Sequence, residues 1–117
     1  MRAAYVPRRG DLVWLSFDPQ AGHEQAGHRP AFVLSPEPYN RKTGLFLACP
    51  ITSRSKGYPF EVPLPPGLSV SGVILSDQIK SLDWRARQAT FADHAPPPTL
   101  AEVMARVLSL LDEDTPA

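Results

Sequence analysis

Short apolar segments separated by glycine and proline run through most of the chain. In "DLVWLSF" (residues 11–17) the apolar positions alternate with Trp14 and Ser16, the pattern of a strand with one buried face. The runs "AFVLS" (residues 31–35) and "LFLAC" (residues 45–49) are bounded by proline and glycine and indicate buried strands. The pattern therefore predicts a succession of short strands.

Three further segments extend this pattern. "FEVPL" (residues 60–64) predicts a strand in which Pro63 marks a sheet edge or a strand end. "GVILSDQIKSLDW" (residues 72–84) predicts one strand, a bend near Asp77 and a second strand. "RARQATFA" (residues 85–92) indicates another strand.

The C-terminal segment changes to a helical period. In "PTLAEVMARVLSLLDE" (residues 98–113), Thr99 and Glu102 have the spacing of a capping box, which predicts a helix starting at Thr99. The expected apolar stripe consists of Leu100, Val103, Met104, Val107, Leu108, Leu110 and Leu111. We expect this stripe to pack against the sheet, and the acidic end "DEDTPA" to fray because it opposes the helix dipole.

Many short strands, glycine and proline turns and one terminal helix predict a mainly β fold. The form we expect is a small β-barrel or curled antiparallel sheet with a C-terminal α-helix. A parallel α/β fold is disfavoured because no helical segments alternate with the strands. The length of 117 residues predicts one domain, residues 1–117.

Composition narrows the possible classes of protein. The 43% hydrophobic content indicates a folded chain, and no apolar run approaches the roughly 20 residues of a membrane span. The N-terminus has no signal-peptide core, so a cytoplasmic protein is expected. Cys49 is the only cysteine, which excludes an internal disulfide and argues against a structural zinc site. Its apolar surroundings predict a buried core thiol.

The net charge is zero, but the charges are unevenly distributed. Residues 1–60 hold eight Lys and Arg against four Asp and Glu, and residues 61–117 hold four against eight. A protein that coats nucleic acid is usually basic overall, so any contact with nucleic acid is expected on one face only. An ordinary mixed surface with a chance skew is the alternative.

The segment "GHEQAGHRPAFVLSP" (residues 22–36) concentrates groups that carry protons or bind anions. Arg29 precedes a proline and should therefore be extended, with a guanidinium fork suited to phosphate. Glu24 could accept a proton, and His28 could accept or donate one near neutral pH. The alternatives are solvated loop side chains and, for Arg29, a salt bridge to Asp18. Phosphate-binding glycine motifs, HExxH and GxSxG are absent from the sequence.

Two other segments combine charge with hydrogen-bonding or aromatic groups. In "PITSRSKGYPF" (residues 50–60), hydroxyls follow a buried strand and cations mix with aromatic rings, as in sites for single-stranded nucleic acid; a polar hairpin tip is the alternative. In "DQIKSLDWRAR" (residues 77–87), Gln78 and Lys80 share one face of an extended chain, and Trp84 is expected in the core.

Four stretches together resemble one family. "YVPRRGDLVWLSFDP", "EQAGHRPAFVLSP", "SKGYPFEVPL" and "SDQIKSLDWRAR" are similar, in order and without large gaps, to the MazF/PemK (Kid) group of toxins. The similarity runs from about Tyr5 to Arg87 and is followed by a C-terminal helix of the right type. The sequence departs from the family at His23, in residues 65–72 and in residues 91–98.

The resemblance implies a fold and an activity. Members of this family are small SH3-like antiparallel β-barrels with a C-terminal α-helix, and they form homodimers. They are endoribonucleases that cut single-stranded RNA at short sequences, independently of ribosomes and without a metal or other cofactor. A MazE-like antitoxin inhibits them by laying an extended acidic segment across the RNA groove.

The resemblance also assigns residues. The catalytic arginine and threonine of the family fall on Arg29 and Thr52, and Glu24, also implicated in the family, is present. We expect Glu24 to act as the base, Arg29 to stabilise charge and Thr52 to hold a phosphate oxygen. The expected RNA-binding residues are His28, Ser53, Arg54, Lys56, Tyr58, Gln78 and Lys80, and no metal ligands are expected. A CcdB-like gyrase poison and a non-catalytic RNA-binding barrel are the alternatives.

Overall fold

The structure is a computed structural model that describes residues 4–16 and 28–112. In chain order, the described elements are β1 (Asp11–Ser16), β2 (His28–Val33), α1 (Glu37–Thr43), β3 (Leu45–Thr52), β4 (Glu61–Pro63), β5 (Val73–Leu75), β6 (Lys80–Asp83), β7 (Thr90–His94) and α2 (Pro97–Leu111). No helix within these two ranges is long and apolar enough to cross a bilayer.

The strands form one antiparallel sheet in the order β4-β5-β3-β2-β1-β7. The other edge of β3 is shared, since its first half pairs with β6 and its last two residues pair with β5. The prediction of a mainly β antiparallel fold with a C-terminal helix is therefore confirmed. Among the described residues the pairing ends at β4 and β7, so it does not close into a complete barrel.

Two apolar clusters cover opposite faces of the central strands. On β1, for example, Leu12 belongs to the first cluster and its neighbour Val13 belongs to the second, as strand alternation requires. The first cluster takes Val103 and Val107 from α2, so the terminal helix packs against the sheet as predicted. The second cluster is completed by Trp84, which is buried and donates its indole N–H to the carbonyl of Asn40 at 2.9 Å.

Helix α1 was not predicted, although its boundaries carry recognisable signals. Pro36 occupies the N-cap position, Pro38 lies in the first turn, and Gly44 ends the helix with φ of 73°. Asn40 is fully buried and accepts a hydrogen bond from the Ser35 hydroxyl at 2.6 Å. The missing signal is an apolar stripe, because α1 is held by this polar side chain and not by a hydrophobic face.

Helix α2 differs from its prediction at both ends. It begins at Pro97 with Pro96 as N-cap, and the capping box centred on Thr99 is wrong because Thr99 lies buried inside the first turn. Three successive prolines fix φ near the helical value and start the helix earlier. Leu108, Leu110 and Leu111 are exposed, so these three predicted members of the apolar stripe do not pack against the sheet, and the stripe ends at Val107. The acidic residues from 113 onward lie outside the described residues.

The strand predicted in residues 85–92 is wrong in its first half. Residues 84–88 form a turn, in which the Asp83 carboxylate accepts backbone N–H bonds from Arg85 and Ala86 at 3.1 and 2.9 Å. Strand β7 begins only at Thr90. The side chain of Asp83 competes for the backbone donors and favours the turn.

Candidate nucleic-acid interface

A cleft of about 810 Å³ opens where β2 begins and β3 ends. Its lining comes from strands β1, β2, β3, β5 and β6 and from three connecting segments. The lining residues are Trp14, His28, Arg29, Pro30, Pro50, Ile51, Thr52, Ser53, Ser69, Val70, Ser71, Leu75, Gln78 and Lys80.

The sheet register explains why Arg29 and Thr52 reach the same cleft. Ala31 on β2 pairs with Pro50 on β3, so these two residues share a face of the sheet. Arg29 lies two residues before Ala31, and Thr52 lies two residues after Pro50. Because strand side chains alternate, both lie on that face at the edge of its apolar cluster. The antiparallel pairing therefore brings two sequence-distant groups together.

Two more predicted residues enter the cleft from the segment after β5. Lys80 pairs with Ala48 on β3, which places it on the same sheet face as Arg29. Gln78 donates its backbone N–H to Leu75 at 3.1 Å in the turn that leads to β6. The bend predicted near Asp77 is thus present, and it sets both side chains at the cleft.

The inner loop, residues 64–72, contributes Ser69, Val70 and Ser71 to the lining of the cleft. Val70 anchors it in the first apolar cluster, and Asp93 accepts the backbone N–H of Ser69 at 2.8 Å. That bond, followed by the N–H of His94, lowers the pKa of Asp93. Gly72 has φ of 124°, and a β-carbon there would lie 2.4 Å from the carbonyl oxygen of Thr52. The inner loop can therefore approach the end of β3 only because residue 72 is glycine.

The outer loop, residues 53–60, continues from β3 beyond the cleft. It carries the predicted residues Arg54, Lys56 and Tyr58, all exposed, and none of the three lines the cleft. Of the outer loop, Ser53 alone belongs to the lining. The predicted RNA-binding residues are thus divided between two neighbouring surfaces.

The hydroxyl of Thr52 has one defined partner in this region. Its Oγ1 accepts the backbone N–H of Arg54 at 3.1 Å. A threonine hydroxyl can accept and donate at the same time, so its proton stays available for an oxygen in the cleft. This geometry makes Thr52 a donor toward a ligand anion.

The charge of the cleft is positive. Arg29 and Lys80 contribute cations, and the lining contains no acidic side chain among the described residues. Within residues 4–16 and 28–112, no three His, Cys, Asp or Glu side chains are grouped as metal ligands would be. Cations, hydroxyls and an amide along an open cleft suit the phosphates and bases of a single strand.

Some expectations lie outside the described residues, and several cleft residues were not predicted, Trp14 among them. Glu24, His23 and Asp18 fall in the undescribed segment between β1 and β2, so their positions carry no argument. Trp14 faces the cleft with 37% of its surface exposed. Its position in the alternation of β1 was the available signal, because it lies on the face opposite the buried Val13 and Leu15.

Cys49 takes no part in this chemistry. It is a buried, unbridged cysteine in the first apolar cluster, as predicted. Burial raises the pKa of its thiol to about 12, with a smaller contribution from the charge of Asp77. A thiol with so high a pKa is a poor nucleophile near neutral pH.

An antiparallel sheet with a cationic, hydroxyl-lined cleft defines a small β protein suited to a polyanionic strand. Comparison with known proteins identifies the family within this class. Residues 8–111 match the family of PemK-like, MazF-like toxins of type II toxin–antitoxin systems. The chain is 53% identical, over 111 residues, to the endoribonuclease toxin MazF of Escherichia coli strain K12, covering 95% of this chain and 99% of that protein.

Solved structures give the same result. The MazF structure from Deinococcus radiodurans (form I) is 62% identical, with a TM-score of 0.82, and the match covers 92% of this chain and 98% of that one. The MazE–MazF complex from the same organism (form II) is 56% identical, with a TM-score of 0.83 and coverage of 92% and 97%. The chain belongs to the PemK-like, MazF-like toxin family.

Proposed function

We propose that this protein is a toxin endoribonuclease that cuts single-stranded RNA at a short sequence, without a metal and independently of ribosomes. The observation that carries the proposal is the convergence of Arg29 and Thr52, from different strands, on one cationic cleft. The similarity to the endoribonuclease toxin MazF of Escherichia coli supports the same activity.

RNA can be cut without a metal because its own 2′-hydroxyl can attack the adjacent phosphorus. A new bond forms between that oxygen and phosphorus, and the bond from phosphorus to the 5′-oxygen breaks. The products are a 2′,3′-cyclic phosphate and a 5′-hydroxyl. The protein must remove the 2′ proton, stabilise the charge on the pentavalent phosphorus, and supply a proton to the leaving oxygen.

Arg29, Thr52 and Glu24 carry the first two tasks, and the leaving 5′-oxygen takes its proton from solvent water. Arg29 stabilises the developing charge by donating hydrogen bonds from its guanidinium fork to the phosphate oxygens. Thr52 donates its hydroxyl proton in a hydrogen bond to a non-bridging oxygen, since its oxygen already accepts from Arg54. Glu24 accepts the 2′ proton in this proposal; it rests on the family resemblance, because Glu24 lies outside the described residues.

The remaining predicted residues bind the strand. His28, Ser53, Gln78 and Lys80 contact it inside the cleft, and Arg54, Lys56 and Tyr58 contact it from the outer loop. We propose that the protein works in the cytoplasm as a homodimer and that a MazE-like antitoxin covers this surface. The structure of a relative in complex with MazE supports that partner.

The experiment is incubation of the purified protein with a long labelled single-stranded RNA in EDTA. Cleavage at a recurring short sequence, with new 5′-hydroxyl ends, is the expected result. Retention of intact RNA would support a non-catalytic RNA-binding barrel and overturn the proposal. Intact RNA together with altered DNA supercoiling would support a gyrase poison, which the family match does not favour.

A further inference from the structure

The outer loop is ordered without the help of a hydrophobic core. Residues 53–59 are all exposed, and no strand pairing involves them. Chain segments of this kind have little to offset the entropy of ordering their backbone. Their conformation must therefore come from local hydrogen bonds.

Most of those bonds converge on the carboxylate of Glu61, the first residue of β4. It accepts the backbone N–H of Lys56 at 2.9 Å, the N–H of Gly57 at 3.1 Å and the hydroxyl of Ser55 at 2.8 Å. Gly57 adopts φ of 75°, which turns its N–H and that of its neighbour toward one point. A single side chain thus gathers three donors of the loop.

The far end of the outer loop is fastened to the body of the protein. Ser76 donates both its backbone N–H and its hydroxyl to the carbonyl of Phe60, and Arg106 of α2 donates to the carbonyl of Pro59. At the near end, Arg54 is bound to Thr52. Glu61 is consequently the link that orders the middle of the loop, where Lys56 and Tyr58 lie.

We propose that Glu61 is a positioning residue that holds the outer loop as a preformed platform for RNA outside the cleft. The inference rests on the proposed function. The negative charge of Glu61 makes this role distinctive, because a carboxylate beside a polyanion should by itself weaken RNA binding. Here the carboxylate of Glu61 binds backbone donors of the outer loop. The ordered loop then presents Arg54, Lys56 and Tyr58 to the RNA strand, so binding carries no entropy cost for ordering the loop.

The test compares Glu61→Gln and Glu61→Ala with the unmodified protein on a series of cleavable RNAs. Each RNA contains the same cut site and is lengthened by one nucleotide at a time on either side. For the shortest RNA that is cut, we expect kcat and KM to be unchanged. Once the RNA is long enough to reach the outer loop, KM should rise roughly tenfold in both variants, while kcat stays the same.

Two controls separate positioning from charge and from folding. Asp83→Asn removes an exposed carboxylate that also accepts two backbone N–H bonds, but away from the cleft lining, and should leave KM unchanged at every length. Amide hydrogen exchange should accelerate at Lys56 and Gly57 in Glu61→Gln and stay unchanged in β3. These readouts also report on the loop if one variant loses stability.

A KM that falls in Glu61→Gln, or that changes by the same factor at every RNA length, would overturn the inference. Unchanged exchange at Lys56 and Gly57 would also overturn it. Failure of the unmodified protein to cut any RNA would instead reject the proposed function, so the two failures are distinguishable.

Discussion

The floor of the cleft and the outer loop are neighbours, yet they are held in place by different means. Arg29 and Thr52 extend from paired strands whose neighbouring residues on the same face, Ala31 and Ala48, are buried in an apolar cluster. The outer loop is exposed from residue 53 to residue 59, and its middle is ordered by one carboxylate, that of Glu61. The catalytic groups, which need accurate positions, are thus positioned by sheet register. The groups that bind the RNA outside the cleft are positioned by local hydrogen bonds. The comparison predicts effects on kcat in the first region and on KM in the second.

The largest effect is expected from the cleft floor. Arg29→Ala and Thr52→Ala should each lower kcat by at least about 10²-fold, because each removes a donor aimed at developing charge. Single-turnover cleavage of a labelled RNA measures this loss. Arg41→Ala is the matched control, since Arg41 pairs with Glu37 on α1, outside the cleft lining. Turnover near normal in either cleft variant would contradict the assignment of kcat effects to the cleft floor.

A smaller effect is expected from the contact behind Thr52. Gly72→Ala should lower kcat about tenfold or more, because the new β-carbon would displace the Thr52 carbonyl and misplace its side chain. Gly67→Ala is the control: it has a similar φ of 94° but nothing within 4 Å of an added β-carbon. It should lose some stability through backbone strain and keep its kcat. Equal kcat in the two variants would contradict the positioning of Thr52 by the inner loop.

The cations of the outer loop should change binding and its salt dependence. Replacing Arg54 and Lys56 by glutamine should reduce the slope of log K against log salt by about 0.7 for each cation that meets a phosphate. Fluorescence titration of an uncleavable DNA analogue across salt concentrations gives this slope. An unchanged slope, or a loss of kcat comparable to that of Arg29→Ala, would remove the distinction between the two regions.

The smallest effect concerns pH. The N–H of Lys56 and the hydroxyl of Ser55 lower the pKa of Glu61 below its ordinary value of 4.5. A group with a lowered pKa contributes its stabilisation above the ordinary value and loses it as pH falls through the lowered one. The amide signals of Lys56 and Gly57 in an NMR titration should therefore move with a midpoint below 4.5. A midpoint at or above that value would show that the carboxylate does not hold the loop.

Much of the fold could be predicted from the sequence, because alternation and apolar runs report directly on burial. The bend near Asp77, the buried Cys49 and the core position of Trp84 all followed from this pattern, and the structure contains them. Helix α1 did not follow, because it is held by the buried amide of Asn40. The start of α2 was misplaced because the prolines before Thr99 begin the helix earlier than the capping pattern predicted.

The candidate site was predictable only in part. Residue types and family resemblance selected Arg29, Thr52 and Lys80, and the structure places all three at one cleft. The inner loop could not be predicted, because Ser69 and Ser71 reach the cleft only through the close approach of Gly72 to β3. Such an approach is a tertiary contact without a periodic signal. That residues 1–117 form one domain, and that Glu24 is the base, stay predictions.

The most direct test of the central claim, that Arg29 and Thr52 act on the same phosphate, is a double-mutant cycle. Single-turnover rates are measured for the unmodified protein, Arg29→Ala, Thr52→Ala and the double variant. Residues that act as a unit give strongly non-additive losses, so the double variant should be about as slow as the slower single variant. A double variant whose loss equals the product of the two single losses would contradict the claim.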